Sequence, residues 1–289
     1  MMDVALIVGL DIVNGIAALV LICAGLAVIF GMMKVINLAH GEFLMLGAYA
    51  TVLSVANGVN IWLAMLVIAP VSVGLFGVLV ERCLIQFLYG RLVDTMLATW
   101  GLSLVIVGAT TMAFGNTITG VASPLGSFQI GGYSSSLYTP FLAVMAALLM
   151  GVIYAVMRYT RWGMVARATM QNPEMAATLG VNPKLVYMAT FGAGAAMTGL
   201  AGGLLAPISG VVPTMGAAYI AKAFITVVGG GASIISGVVS ASGLFGLINQ
   251  VAAFLTTPVF GEVILFIAAI ALIRVLPQGI SGRFFRGRV

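Results

Sequence analysis

From Thr139 to Met157 the chain runs without one charged side chain. An apolar stretch of about 18 or more residues is long enough, as a helix, to cross the hydrocarbon of a bilayer. Inside that hydrocarbon every backbone N–H and C=O must be paired within the protein, so only helices or closed barrels are allowed. This stretch has the helical length, and others like it recur along the chain. The sequence is 62% hydrophobic and 7% charged, where a soluble domain carries about 25% charged residues. The fold class expected is therefore all-α: a polytopic membrane helical bundle, treated as one transmembrane domain over residues 1–289.

Apolar periodicity and its interruptions place the spans at about 5–30, 41–57, 61–80, 93–114, 139–157, 185–207, 215–229, 232–255 and 262–276. That is eight or nine crossings. The 215–229 stretch, which contains Lys222, is the weakest, and a re-entrant course there would reduce the count. Lys and Arg gather in segments 81–91, 158–184 and 277–289, the last holding Arg283, Arg286 and Arg288. Segment 115–137 is rich in Gly, Ser and Thr and has no Lys or Arg. The positive-inside rule puts the basic segments in the cytoplasm, which sets the N-terminus outside and the C-terminus inside. The N-terminal stretch carries Asp3 and Asp11 and lacks a basic region, so no cleaved signal peptide is expected. Trp62, Tyr133, Tyr138 and Trp162 suit an interfacial belt. Gly199-x-x-x-Gly203 and the run Gly229 to Gly231 permit close helix packing or a helix break.

The longest polar interruption is Tyr159 to Lys184, YTRWGMVARATMQNPEMAATLGVNPK. Asn172 is a good N-cap, Pro173 suits the first helical position and Glu174 favours the positive helix end. Gly180 suits the left-handed position that stops a helix. A short helix from Pro173 to Leu179 follows, roughly 10 Å long. Asn182 and Pro183 repeat the same start for the next span. A rigid short helix with Arg158, Arg161 and Arg167 ahead of it, outside the bilayer, reads as a part held by a partner.

Several chemistries find no support. None of Lys34, Lys184 or Lys222 follows a glycine, so there is no phosphate-binding Walker loop. A single histidine, His40, rules out a histidine metal cluster. Cys23 and Cys83 are far apart, and Cys23 lies within an apolar run, so neither a disulfide nor a metal site is expected. The net charge of +5 follows from loop residues and carries no nucleic-acid signature. No enzyme constellation emerges. A second polar stretch, Gly31 to Gly47, places Lys34, Asn37, His40 and Glu42 between two spans. It reads either as a plain cytoplasmic turn or as polar groups facing a pathway. Lys222 likewise either lines a pathway or snorkels to an interface. Asn249 and Gln250 are expected to hydrogen-bond between helices.

Two of these stretches together, VINLAHGEFLMLGAY and GMVARATMQNPEMAATLGVNP, resemble the permeases of branched-chain amino acid ABC importers of the LivH type. The resemblance extends over essentially the whole chain. Asp94 to Val105, DTMLATWGLSLV, is closer to the urea and short-chain amide branch of that family. The resemblance implies a multi-pass bacterial inner-membrane subunit without cofactor. Its partners would be a homologous LivM-type permease, two cytoplasmic ATPases that bind the ATP, and an extracytoplasmic solute-binding protein. It also makes the 173–179 helix a coupling helix, with Gly163, Arg167, Asn172, Pro173, Glu174, Ala176, Ala177 and Gly180 as the coupling residues. Asn37, His40, Glu42 and Lys222 are then candidates for the translocation pathway. The solute stays open between urea, amides and branched-chain amino acids. The alternative, a self-sufficient channel or secondary transporter, needs an intramembrane ion site, for which Asp11 and Glu42 are the carboxylates expected.

Overall fold

A computed structural model describes residues 2–130, 133–231 and 233–284. Arg286 and Arg288 lie outside the described residues, as does the side chain of Arg283. The apolar stretches are helices. They begin with α1 (Met2–Met33) and α2 (His40–Ala56). α3 (Ile61–Leu63) passes through a π-helical turn at Ala64–Ile68 into α4 (Ala69–Cys83), followed by a 3₁₀ turn at Ile85–Phe87. The π turn comes immediately before Pro70, which has no N–H to donate and whose ring would crowd the carbonyl four residues back. A locally widened helix relieves that clash. α5 is Leu92–Phe114. The uncharged segment after it contains a hairpin, β1 (Ser127–Ile130) antiparallel to β2 (Tyr133–Ser136), with Ser127 opposite Ser136.

Then come α6 (Tyr138–Tyr159), α7 (Arg161–Gln171), α8 (Pro173–Thr178) and α9 (Pro183–Leu205). The chain finishes with α10 (Met215–Gly230), α11 (Ile234–Leu255), α12 (Pro258–Val275) and α13 (Gly279–Phe284). Among the described residues seven helical segments are long and apolar enough to cross a membrane. α2 and α10 have 17 and 16 residues. At ~1.5 Å per residue they reach about 26 and 24 Å, short of a ~30 Å hydrocarbon core. The stretch expected at 215–229 is thus a real helix, but a short one.

The described chain forms two compact units. One comprises Ala24–Val121 and Gly151–Ile220. Its centre is α9 packed between α2 and α4, and small residues decide how close the helices come. A Cβ on Gly202 would collide with the Leu44 carbonyl of α2, and one on Gly199 would meet the Ala69 carbonyl of α4 at 2.7 Å. The expected Gly199–Gly203 spacing is therefore a packing face, as small-residue spacings are in membranes. Phe43 closes the layer, edge-on to Phe76 at 5.5 Å and to Phe191 at 6.1 Å. Between α2, α4 and α5 lies an apolar cavity of about 520 Å³, lined by Leu46, Phe76, Ile106 and Tyr49 among others.

The other unit comprises Met1–Cys23, Ala122–Met150 and Ala221–Val289. Leu19, Ala241, Phe245, Leu265 and Ala269 form its core, with α11 and α12 as a packed pair. Gln250 donates through Nε2 to the Asp11 carbonyl at 2.8 Å, so the interhelical hydrogen bond expected of Gln250 is made. Near α13, Ser281 Oγ accepts from the Ser233 N–H at 3.2 Å.

Candidate functional site

The polar stretch after α6 folds into two helices set end to end. Thr160 starts α7, its side-chain oxygen accepting from the Gly163 N–H at 3.1 Å. α7 was not anticipated from the sequence, where its arginines and low overall hydrophobicity made the stretch read as a basic loop, although the helix is amphipathic. Gly163 is buried where α7 folds back on the end of α6. A Cβ there would lie 2.6 Å from the Met157 Cα and would also run into the Val156 carbonyl. Only glycine fits. Beside it is a cavity of about 250 Å³ lined by Val28, Met157, Trp162, Ala166 and Met197.

α8 follows without a spacer. Asn172 Oδ1 accepts from the Met175 N–H at 2.9 Å, and Pro173 takes the first turn, where no N–H is needed. Gly180 has φ +86°, the left-handed stop that its sequence position predicts. The Asn182 side chain caps α9 through the Lys184 N–H at 3.1 Å. Ala176 is buried against this chain, whereas Pro173, Glu174, Met175, Ala177, Thr178 and Leu179 face outward. Met175 is 59% exposed and Leu179 79%. These are two large apolar groups four residues apart, Met175 on α8 and Leu179 at its C-cap, where the Leu179 N–H still donates to the Met175 carbonyl and keeps the two on one side. Arg167 is half-buried. Among the described residues two ion pairs form, Arg91–Asp94 and Lys222–Glu262, so Arg167 and Glu174 are not paired to each other.

The loop into α2 is interior rather than an exposed turn. Asn37, His40 and Glu42 are all nearly inaccessible. Asn37 Oδ1 accepts from the Ala39 N–H at 3.0 Å, and Thr99 Oγ1 of α5 accepts from the Leu38 N–H at 3.0 Å. Lys34 sits at φ +52°, a conformation rare for a side-chain-bearing residue, where the backbone leaves α1. His40 Nδ1 lies 3.3 Å from Thr198 Oγ1 of α9. Asn37 Nδ2 and Glu42 Oε2 have no hydrogen-bond partner among the described residues. Gly41 meets Gly216 backbone to backbone: a Cβ on Gly216 would stand 2.7 Å from the Gly41 carbonyl carbon. The first turns of the two short helices, α2 and α10, therefore touch inside this unit.

Lys222 belongs to the other unit. Its Nζ lies 2.5 Å from Glu262 Oε1 of α12. At the end of α4, the Tyr89 hydroxyl donates to Glu81, which is itself buried. Burial, with that hydrogen bond and the Glu81 charge second, raises the Tyr89 phenol above its ordinary range.

Residues 9–275 match a family model described as branched-chain amino acid transport system / permease component. The chain belongs to this permease family. It is 28% identical over 281 residues to the high-affinity branched-chain amino acid transport system permease protein LivH of Escherichia coli K12, covering 91% of both chains. It is 29% identical to the corresponding permease BraD of Pseudomonas aeruginosa, covering 94% of this chain and 95% of that one. A probable LivH of Methanocaldococcus jannaschii is 27% identical over 91% of this chain and 88% of its own. No solved structure matches.

In this permease the coupling residues expected from sequence do lie together on α7, α8 and their caps. Asn37, His40 and Glu42 likewise gather at one end of α2. Lys222 is not among them, and its partner Glu262 was missed. Glu262 is a further carboxylate on an apolar helix, beside the expected Asp11 and Glu42. The exposed pair Met175 and Leu179 was also missed, although their spacing of four in a helix outside the bilayer was a usable signal.

Proposed function

We propose that this chain is the membrane subunit of an ATP-driven importer of branched-chain amino acids. It forms the pathway with a homologous permease of the LivM type. Of two cytoplasmic ATPases, one docks on the α7–α8 arm of this chain and the other on the homologous permease, and an extracytoplasmic binding protein delivers the solute. The N-terminus is outside and the C-terminus in the cytoplasm. ATP is held by the partner subunits. The observation that carries this reading is the α8 geometry within a permease-family chain. A helix of six residues capped at both ends, with Met175 and Leu179 exposed, is rigid and incomplete without a partner. Closure of the ATPase pair would push α8, and α7 would pass that motion to α6 through the tight Gly163 contact and to α9, against which it also packs.

The test is co-expression of this chain with candidate permease, ATPase and binding-protein subunits, followed by purification and leucine uptake in proteoliposomes. Co-purifying ATPase and ATP-dependent uptake of leucine, isoleucine or valine support the proposal. Uptake of urea or acetamide in their place would move the solute to the amide branch. Uptake by this chain alone, without ATPase, would make it a self-sufficient transporter.

A further inference from the structure

We propose that the Lys222–Glu262 pair recognises the charged head of a zwitterionic α-amino acid, Lys222 taking the carboxylate and Glu262 the ammonium. This rests on the importer reading above. A lysine and a glutamate within apolar helices are costly and tend to face a pathway or a partner. Lys222 is seven residues from Met215 and eight from Gly230, the midpoint of α10. α10 is also too short to span, and it stops at Gly231, whose φ is +86°. Short, interrupted helices of this kind are where transporters place substrate sites.

The pair itself is incompletely used. Lys222 Nζ donates to Glu262 Oε1 at 2.5 Å, and neither group makes another hydrogen bond among the described residues. An ammonium has three donors and a carboxylate two acceptor oxygens. Donors on Lys222 and the Oε2 atom of Glu262 therefore remain available. The lysine side chain is 18% exposed and the glutamate 47%, so the carboxylate has an open side. An incoming zwitterion offers the complementary set: a carboxylate for the spare lysine donors and an ammonium for the spare oxygen. Urea and short amides carry no such charges, and this separates the solute classes left open by the motifs. Among the described residues neither group forms a second ion pair. α10 has no other charged residue, and on α12 the next is Arg274, about 18 Å further along the axis.

The experiment uses the complete importer in proteoliposomes and measures leucine uptake, basal ATP hydrolysis and recovery of all subunits. Lys222→Gln and Glu262→Gln should each lower leucine uptake about tenfold or more with basal hydrolysis unchanged. The double exchange Lys222→Glu with Glu262→Lys restores opposite charges and should keep subunit recovery at the wild-type level without restoring uptake. Glu262→Asp keeps both charges and should raise the leucine concentration for half-maximal uptake about tenfold. Wild-type uptake in either glutamine variant, or an exchanged pair that transports normally, overturns the assignment and leaves a static ion pair. If single variants fail to assemble, the exchanged pair and Glu262→Asp decide between the two. An intact wild-type complex that takes up no branched-chain amino acid overturns the importer reading itself, and this assignment with it.

Discussion

Replacing Leu179 with Ala removes an apolar group that this chain leaves 79% exposed. Fully burying a leucine contributes ~1.5–3 kcal/mol. With about four fifths of that area free to be covered by a docked ATPase, and the Cβ kept by alanine, the loss on docking is about 1–2 kcal/mol. That is roughly a five- to thirtyfold weaker association. The permease itself should be unaffected, since substitutions at exposed positions usually change stability by less than about 0.5 kcal/mol. The assay titrates purified ATPase subunit against the detergent-solubilised permease pair, with thermal unfolding of the permease as control. Leu179→Met keeps size and apolarity and should bind within about twofold of wild type. Ala176 makes the contrast. It is buried in this chain, so Ala176→Leu should lower the unfolding temperature of the permease before any ATPase is added. An ATPase affinity within about twofold of wild type for Leu179→Ala would refute docking on this face.

Asn172→Ala removes the cap on the Met175 N–H. It should destabilise the start of α8 by about 1 kcal/mol, read as faster amide exchange at Met175 and Ala176. Gly163→Ala forces a Cβ into the α6 backbone and should destabilise the arm by about 1–3 kcal/mol, seen as reduced thermal stability and uptake. Tyr89→Phe strands the buried Glu81 carboxylate and should lower stability by about 1–3 kcal/mol near neutral pH. The Tyr89 phenol is raised in the folded state, so its contribution is complete below the unfolded value near 10 and declines as pH climbs above it. Tyr89→Phe should therefore flatten stability against pH only in that alkaline range, and an unchanged alkaline slope would sink the argument. In a Cys83→Ser background, cysteine at exposed Ser127 should react with an impermeant thiol reagent from outside and cysteine at Gln171 should not. The reverse pattern would invert the topology.

Most of the helices were legible in the chain, and so were their stops. Charge-free apolar length alone dictates a membrane helix, because no other local structure satisfies the backbone there. The caps at Asn172 and Asn182, the prolines after them and the turn at Gly180 were legible for a different reason: each involves neighbours within a few residues. α7 and the small hairpin were not read: α7 is amphipathic but too polar overall to stand out from a basic loop, and the hairpin strands are four residues each.

What only the tertiary structure decided depends on distant residues. Lys222 and Glu262 are 40 positions apart, and nothing local pairs them. Gly41 against Gly216 and Gly202 against Leu44 are close approaches whose partners lie on other helices. The Asn37–Glu42 stretch had been readable as an ordinary turn. It becomes an interior polar cluster only because α5 and α9 bring Thr99 and Thr198 to it. Ala176 and Ala177 are the same residue type side by side, and α7 and α9 decide that one is covered while the other faces outward. Local chemistry determines which segments are helices. Which faces those helices bury is determined by what packs against them, and that is not written in any single segment.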